Sequence, residues 1–566
     1  MKHLTIKLTV LLLICIQSNM LYSQISKENN VSINNQVDAL FTEWNTNETP
    51  GASIAIVKDG AIIYKKGYGI ANLEYGIPNS SSTVFHIASI SKQFTVFSIL
   101  LLEEEGKLSL EDDIRKYIPE VPDFGKTITL RHLATHTSGL RDQWSLLGLA
   151  GWRRDDVVTK AHILKLISKQ NALNFNPGEK FLYCNTGFTL LAEVVSRVSG
   201  QTFAEFTKAN IFEPLQMSST LFYDDHEKIV QNRAYSYYLD SSGYKKSVLN
   251  FANVGATSLF TTVEDLSNWA LNFSSTKIGN NKIIRKMNTI TVLNNGKKTE
   301  VGLGQVIGKY KGLNEIQHGG ADAGYRSYFA RYPDQNFSVM VFSNEASFKP
   351  NKIVHEIVDI YLKDHIKVEI KKEGLNVAYE APKKISISQE ILNTYVGNYD
   401  IKPGVTFRIT TKEGQLFMQA PNNESGLLIP TSKTEFAVEN GKAKISFVTN
   451  GSQESLLKLH VNGRIINAEK VVVARETTIK LTDFEGYFYS EELSTKYQFV
   501  IVDGQLIVKH NRLSDIILKF EKDDIFFGSN WFFGKIKFIR NANNVIKGFE
   551  FSSHRARNIL FKKQPV

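Results

Sequence analysis

The chain of 566 residues is 42% apolar and 22% charged, a balance that excludes a mainly disordered polypeptide, and it is too long for one hydrophobic core, since single domains stop growing near ~250–300 residues. The formal net charge of +10 comes from lysines scattered among acids rather than gathered on an aromatic-studded stripe, which argues against a nucleic-acid partner. Of the two cysteines, Cys15 lies in a leader-like segment and Cys184 is left without an intrachain partner, so packing rather than crosslinking must stabilise the fold.

Met1, Lys2 and Lys7 precede an apolar run from Leu8 to Ile16, and small Ser23 follows, which predicts a cleavable signal peptide over 1–23 and an exported, periplasmic or secreted protein. Ile14 is not the small residue that lipidation of Cys15 would need. No later run is long and apolar enough to span a bilayer. Val37, Leu40, Phe41 and Trp44 recur at helical spacing, and the apolar run from Ile54 to Tyr64, broken by Asp59-Gly60, predicts a β-hairpin. Helices are predicted from Ser89 to Glu105, Thr186 to Ser199, Phe203 to Phe212 and Val263 to Phe273, each stopped by a glycine, a proline or a polar run. Apolar strands follow over Ser327–Tyr332 and Phe337–Ser343, so residues 30–365 form one mixed α/β domain.

A charged linker over 366–388 leads into alternating residues and Asx-Gly turns at Asn440-Gly441, Asn450-Gly451, Asn462-Gly463 and Asp503-Gly504. This tail repeats itself: Leu392, Tyr395, Gly397 and Tyr399 match Leu481, Phe484, Gly486 and Phe488. A copy of that length suits a small antiparallel barrel, whose closure removes exposed edges, so 389–476 and 477–566 are predicted to be two successive lipocalin-like β-barrels.

A serine hydroxyl is a weak nucleophile that needs a nearby base, and a lysine one helical turn later can reach it. Ser89 and Lys92 have that spacing, as do Ser242/Lys245, Ser274/Lys277 and Ser455/Lys458; only Ser89 opens an apolar helix, whereas Ser242 reads as a turn, Ser274 as a polar loop and Ser455 as a strand. Burial near a helix N-terminus disfavours the lysine cation, and the Ser89 N–H at that terminus can face a developing oxyanion. Two further stretches carry polar groups into strand-to-helix or glycine-rich settings: Phe175-Asn176-Pro177-Gly178-Glu179-Lys180-Phe181-Leu182-Tyr183-Cys184-Asn185 and His318-Gly319-Gly320-Ala321-Asp322-Ala323-Gly324-Tyr325. The glycines are expected to bring a substrate against the backbone.

With Thr129-Leu130-Arg131-His132-Leu133-Ala134-Thr135-His136-Thr137-Ser138-Gly139-Leu140, these stretches closely resemble the penicillin-binding-protein and class C β-lactamase superfamily, from about Pro50 to about Ser347. The resemblance implies an antiparallel sheet flanked by helices plus an all-helical subdomain, with the site between them. It implies Ser89 as acylated nucleophile, Lys92 as proton partner, Tyr183 as base and acid, and Asn185, Gly319 and Gly320 as substrate-binding residues. Ala321 would give the second oxyanion N–H beside that of Ser89. His318 stands where β-lactamases and peptidoglycan peptidases usually carry a carboxylate-holding lysine, which resembles the D-aminopeptidases, whose C-terminal barrels it also shares. A peptidase or amidase acting on small D-amino-acid or short-peptide substrates, including cell-wall fragments, is therefore expected, without a cofactor. An esterase, a weak β-lactamase and an inactive envelope-binding homologue are the alternatives. His132 and His136, four apart, lack a third metal ligand, and Cys184 reads as a buried filler.

Overall fold

The computed structural model describes residues 31–366, 385–402, 405–419, 425–438, 443–449, 455–461, 464–471, 480–528 and 530–565. The expected signal peptide 1–23, residues 367–384 of the expected linker, and the turns at Asn440, Asn450 and Asn462 lie outside the described residues. The described residues fall into two compact units, one drawn from Met1–Leu147 and Trp152–Glu369 and the other from Gly148–Gly151 and Ile370–Val566.

In chain order the first unit is built on β1 (Ala52–Lys58), β2 (Ala61–Tyr68), α1 (Ser91–Glu104), α2 (Asn185–Ser199), α3 (Val263–Ser275), β3 (Val306–Tyr310), β4 (Leu313–Asp322), β5 (Tyr325–Tyr332), β6 (Phe337–Ser343) and α4 (Pro350–Tyr361), with shorter helices between α1 and α2. The six strands form one antiparallel sheet in the order β3-β4-β5-β6-β1-β2. The β1–β2 hairpin turns at Asp59 and Gly60, both at positive φ (48° and 83°), the two-residue turn whose twist matches its strands. Strand β6 is buried along its whole length and β1 to its last residue, which explains their unbroken apolar character. On one face Ile54, Ile56, Val339 and Val341 join Ile353, Val354, Ile357 and Val358 of α4 and Val37 and Phe41 of the N-terminal segment in one core. On the other, Met340 meets Ser267 of α3, and Phe342 meets Phe85.

Helix α1 is buried on nearly every side, as a central helix requires. Its Phe94 and Phe97 pack on Trp269 of α3 at ring-centroid distances of 4.4 and 5.1 Å. The predicted regular helix from Ser89 is instead a 3-10 turn, Ala88–Ile90, running into α1. The predicted helix Phe203–Phe212 is an α-turn, Phe203–Thr207, that widens into a π-turn over Lys208–Phe212. Ser274, expected in a polar loop, lies in the last turn of α3. Strand β3 pairs with β4 only as far as Gln317, while β5 pairs with β4 through Asp322. The edge of β4 over His318–Asp322 therefore extends beyond its partner on one side.

The second unit contains two closed eight-stranded antiparallel barrels, from Gly397 to Val471 and from Gly486 to Lys563. The repeated glycines have one structural cause in both. Gly397 (φ 149°) and Gly486 (φ 128°) open the first strand of each barrel, and a Cβ there would lie 2.9 Å from Lys470 Cε and 3.0 Å from Lys563 Cε. Each lysine comes from the closing strand, at the register that pairs Tyr399 with Lys470 and Phe488 with Lys563. Its ammonium donates to a carbonyl just before the glycine, Thr394 O at 2.5 Å and Asp483 O at 3.2 Å. The second barrel is filled by rings, Phe488, Phe499, Phe538, Phe549 and Phe561 among them. Among the described residues no helix is long and apolar enough to cross a membrane.

Candidate active site

The turn that carries Ser89 is held in an uncommon conformation. Ala88 sits at φ 48°, where a β-carbon is crowded by the backbone, and such residues persist only when their surroundings fix them. The Ala88 N–H donates to His86 Nδ1 (3.3 Å), the Ser91 hydroxyl donates to Ala88 O (2.5 Å), and the Ser327 hydroxyl donates to Ile87 O (2.8 Å). Beneath it lies Gly320 of β4. A Cβ on Gly320 would stand 2.3 Å from both Ile87 O and Ser327 Oγ, so its missing side chain is what lets the turn press onto the sheet. On the side where a side chain would stand, the space is taken by the protein's own backbone. Gly319 has ordinary neighbours, the nearest atom to its Cβ position being 3.5 Å away.

Ser89 itself is half-buried and Lys92 is 0% exposed. The Lys92 ammonium donates to Ser89 Oγ (3.0 Å), Asn185 Oδ1 (2.9 Å) and Ala256 O (2.6 Å), and lies 5.0 Å from the Tyr183 ring centroid. The structure thus brings Ser89, Lys92, Tyr183 and Asn185 together. Asn185, expected to meet the acyl side chain, is held by the protein: Oδ1 accepts from Lys92, while one Nδ2–H and the backbone N–H donate to Asp142 Oδ2 at 2.9 and 2.7 Å. Asp142 is buried, and its carboxylate at the start of α2 complements the unpaired N–H groups of that terminus. The Tyr183 ring stacks on His136 at 4.2 Å, and His136 Nδ1 accepts the Cys184 N–H at 3.0 Å. Sequence reasoning missed Asp142 and this use of His136; the order Thr135-His136-Thr137-Ser138-Gly139-Leu140-Arg141-Asp142 was visible, but no local spacing ties it to residues 183–185. His132 accepts the Thr129 N–H in a helix cap. Burial pushes the Cys184 thiol up to about 12, which makes it a packed filler rather than a nucleophile.

His318 is 6% exposed, and its Nδ1–H donates to Gly319 O at 2.7 Å, which leaves Nε2 as the lone-pair nitrogen. Burial first, and the Lys92 cation second, push its pKa down to about 4, so it is neutral at pH 7. Asp322 is displaced the other way: burial raises it to about 6, while the Thr257 hydroxyl, which donates to its Oδ2, and the Lys92 cation oppose that shift. Ala321 is exposed on the extended edge of β4, and Ser89 lies in a first helical turn, where N–H groups have no intrahelical acceptor.

Residues 37–360 match the family described as Beta-lactamase. The chain belongs to the β-lactamase family. It is a serine hydrolase of that fold, and the relatives agree. It is 25% identical to penicillin-binding protein 4* of Bacillus subtilis (strain 168) over 454 residues, 75% of this chain and 96% of the relative. It is 27% identical to the D-aminopeptidase of Gluconobacter oxydans (strain 621H) over 298 residues, 53% of this chain and 56% of that one. Among solved structures, the octameric penicillin-binding protein homologue from Pyrococcus abyssi superposes with a TM-score of 0.53 at 26% identity, over 75% of this chain and 96% of that chain.

Proposed function

We propose that this β-lactamase-family hydrolase cleaves small amides, with D-amino-acid amides and short peptides as its substrate class, through an acyl-enzyme at Ser89. The carrying observation is the cluster around the Lys92 ammonium, which meets the Ser89 hydroxyl at 3.0 Å beside the Tyr183 ring. In the forward step Ser89 Oγ attacks the carbonyl carbon and its proton passes to the Lys92–Tyr183 pair, which accepts it as an ammonium beside a phenolate or as an amine beside a phenol. The oxyanion takes N–H bonds from Ser89 and Ala321. Tyr183 returns a proton to the leaving amine as the C–N bond breaks, and a water then attacks the ester and restores Ser89.

The neutral imidazole at 318 supports an amidase rather than a β-lactamase, because an uncharged group offers little to the carboxylate of a β-lactam. The D-aminopeptidase relative supports the D-amino-acid class. The test offers purified protein D-alanyl anilides, 4-nitrophenyl esters and a chromogenic cephalosporin side by side. Anilide and ester turnover should exceed cephalosporin turnover, and Ser89→Ala should lower every rate by at least about 10³-fold. Dominant cephalosporin turnover overturns the assignment. Export is proposed on sequence grounds alone, and an intact-mass measurement should find a mature chain starting at Gln24.

A further inference from the structure

Side chains on a strand alternate between faces, so His318, Gly320 and Asp322 of β4 project to one side of the sheet, spaced by about 7 Å per two residues. Gly320 is the one pressed under the Ile87–Ala88 backbone that carries Ser89. His318 and Asp322 therefore flank the nucleophile's turn on the same face. One flank is a neutral imidazole and the other is a carboxyl group.

The carboxyl group is built in rather than loose. The Thr257 hydroxyl donates to Asp322 Oδ2, and His86 Nε2 lies 3.3 Å from Thr257 Oγ1 and 4.0 Å from Asp322 Oδ2. His86 is fully buried and held neutral, its pKa pushed down to about 3 by burial and by Arg233, so it does not balance the charge. Arg326 on the neighbouring β5 donates through Nη1 to Ala323 O and Tyr325 O and acts on Asp322 through space rather than in contact. Lys92, which donates to Ser89, Asn185 and Ala256, acts on Asp322 through space. Among the described residues, no lysine or arginine stands at ion-pair distance from Asp322, and Oδ1 takes no hydrogen bond. The side chain keeps 17% exposure. A largely buried carboxylate with no cation in contact is costly, and a ligand that brings a cation into contact recovers part of that cost.

We propose that Asp322 anchors a positively charged amine of the substrate, so that the enzyme selects acyl groups bearing a free α-ammonium. An α-ammonium lies two bonds, about 2.5 Å, from the carbonyl carbon that Ser89 attacks. Asp322 follows Ala321 directly on β4, so a cation held there lies one residue along the strand from the N–H assigned above to the oxyanion. This rests on the small-amide reading above and adds what that reading leaves open: the residue that holds the free α-amine and makes it a requirement.

Binding is best read in a Ser89→Ala background of the full chain, where turnover cannot interfere. Ligand-observed NMR at pH 7 compares D-alaninamide with propanamide, which lacks only the amine. D-alaninamide should bind about 10- to 100-fold more tightly, as expected for a hydrogen bond to a charged group. Asp322→Asn, which keeps an acceptor for Thr257, should bring the ratio close to one. A ratio near one before that substitution, or unchanged after it, overturns the proposal. If Asp322→Asn does not fold, the Asp322-containing protein still decides. Between pH 7 and 5 the ligand amine stays charged, and the ratio should fall as Asp322 takes a proton near pH 6; a flat ratio refutes the anchor. Because this readout is binding, it stands apart from the anilide assay: amide cleavage can fail while the ammonium preference holds, and the reverse.

Discussion

His318 and His86 are imidazoles kept neutral by burial, pushed down to about 4 and about 3, whereas in the unfolded chain an imidazole titrates near 6.5. The unfolded state therefore binds more protons between pH 6.5 and 4, and stability must fall as pH drops through that window. For His318 the difference amounts to about 3 kcal/mol, present at neutral pH and gone by pH 4. Asp322 has the opposite sign: raised to about 6, its contribution is fully present below 3.8 and lost as pH rises through 6, so it offsets part of the histidine effect. Thermal melts from pH 7.5 to 4.5 should show falling stability, and His318→Gln, whose amide can still donate to Gly319 O, should flatten the curve by close to one proton. A second residue-scale effect concerns Asp142, which holds both the backbone and the amide of Asn185. Asp142→Ala frees Asn185, and through it one of the acceptors that fix the Lys92 ammonium. Hydrogen bonds to a charged group contribute about 1.5–3 kcal/mol each, so kcat should drop about 10- to 100-fold with a lowered melting temperature. Unchanged kcat would show that Lys92 is placed without this support.

Elements differ in how much of them local pattern can reveal. The hairpin at Asp59-Gly60 and the apolar face of α1 were legible because turn chemistry and helical spacing act within a few residues. The Ser89–Lys92 approach follows from a spacing of three where the 3-10 turn runs into α1, and the two groups lie 3.0 Å apart. By contrast, Asn185 meets Asp142 across 43 positions and Lys92 meets Ala256 across 164, and no periodicity encodes such pairs. The positive φ of Ala88 was equally hidden, since nothing in Ile87-Ala88-Ser89 demands it; the demand comes from β4, through Gly320. That dependence is testable. In Gly320→Ala the new methyl meets Ile87 O at 2.3 Å, about 1 Å inside normal contact, so the nucleophile's turn must lift by a similar amount. Misplacement of that size costs about 100-fold in rate, and fluorophosphonate labelling of Ser89 should slow accordingly while circular dichroism stays native. Gly319→Ala, with 3.5 Å of room, should label at nearly the parental rate. Equal labelling of the two variants would detach Gly320 from the placement of Ser89.

At the scale of the whole molecule, the duplicated tail was legible as a repeat because the same short pattern recurs before each first strand, Leu392, Tyr395, Gly397 and Tyr399 against Leu481, Phe484, Gly486 and Phe488. What the pattern alone did not reveal is why a glycine is needed there. The answer sits at the far end of each copy, where Lys470 or Lys563 on the closing strand lays its stem over the glycine and its ammonium on the preceding carbonyl. Each barrel is thus latched where its last strand meets its first. Gly486→Ala tests the latch. The lysine tip could swing aside, but φ 128° remains a conformation that a residue with a β-carbon holds only at a penalty of about 1–3 kcal/mol. Lys563→Met removes the hydrogen bond to Asp483 O while keeping the stem, and so should lose less. In differential scanning calorimetry Gly486→Ala should therefore melt lower than Lys563→Met, and both below the parent. Among the described residues, the side chains that hold Ser89 and its turn, from His86 to Ser327, belong to the first unit, so the labelling rate of Ser89 should stay at the parental value in both variants. A labelling rate that falls in step with the calorimetric loss would mean that the latch supports catalysis as well as barrel closure.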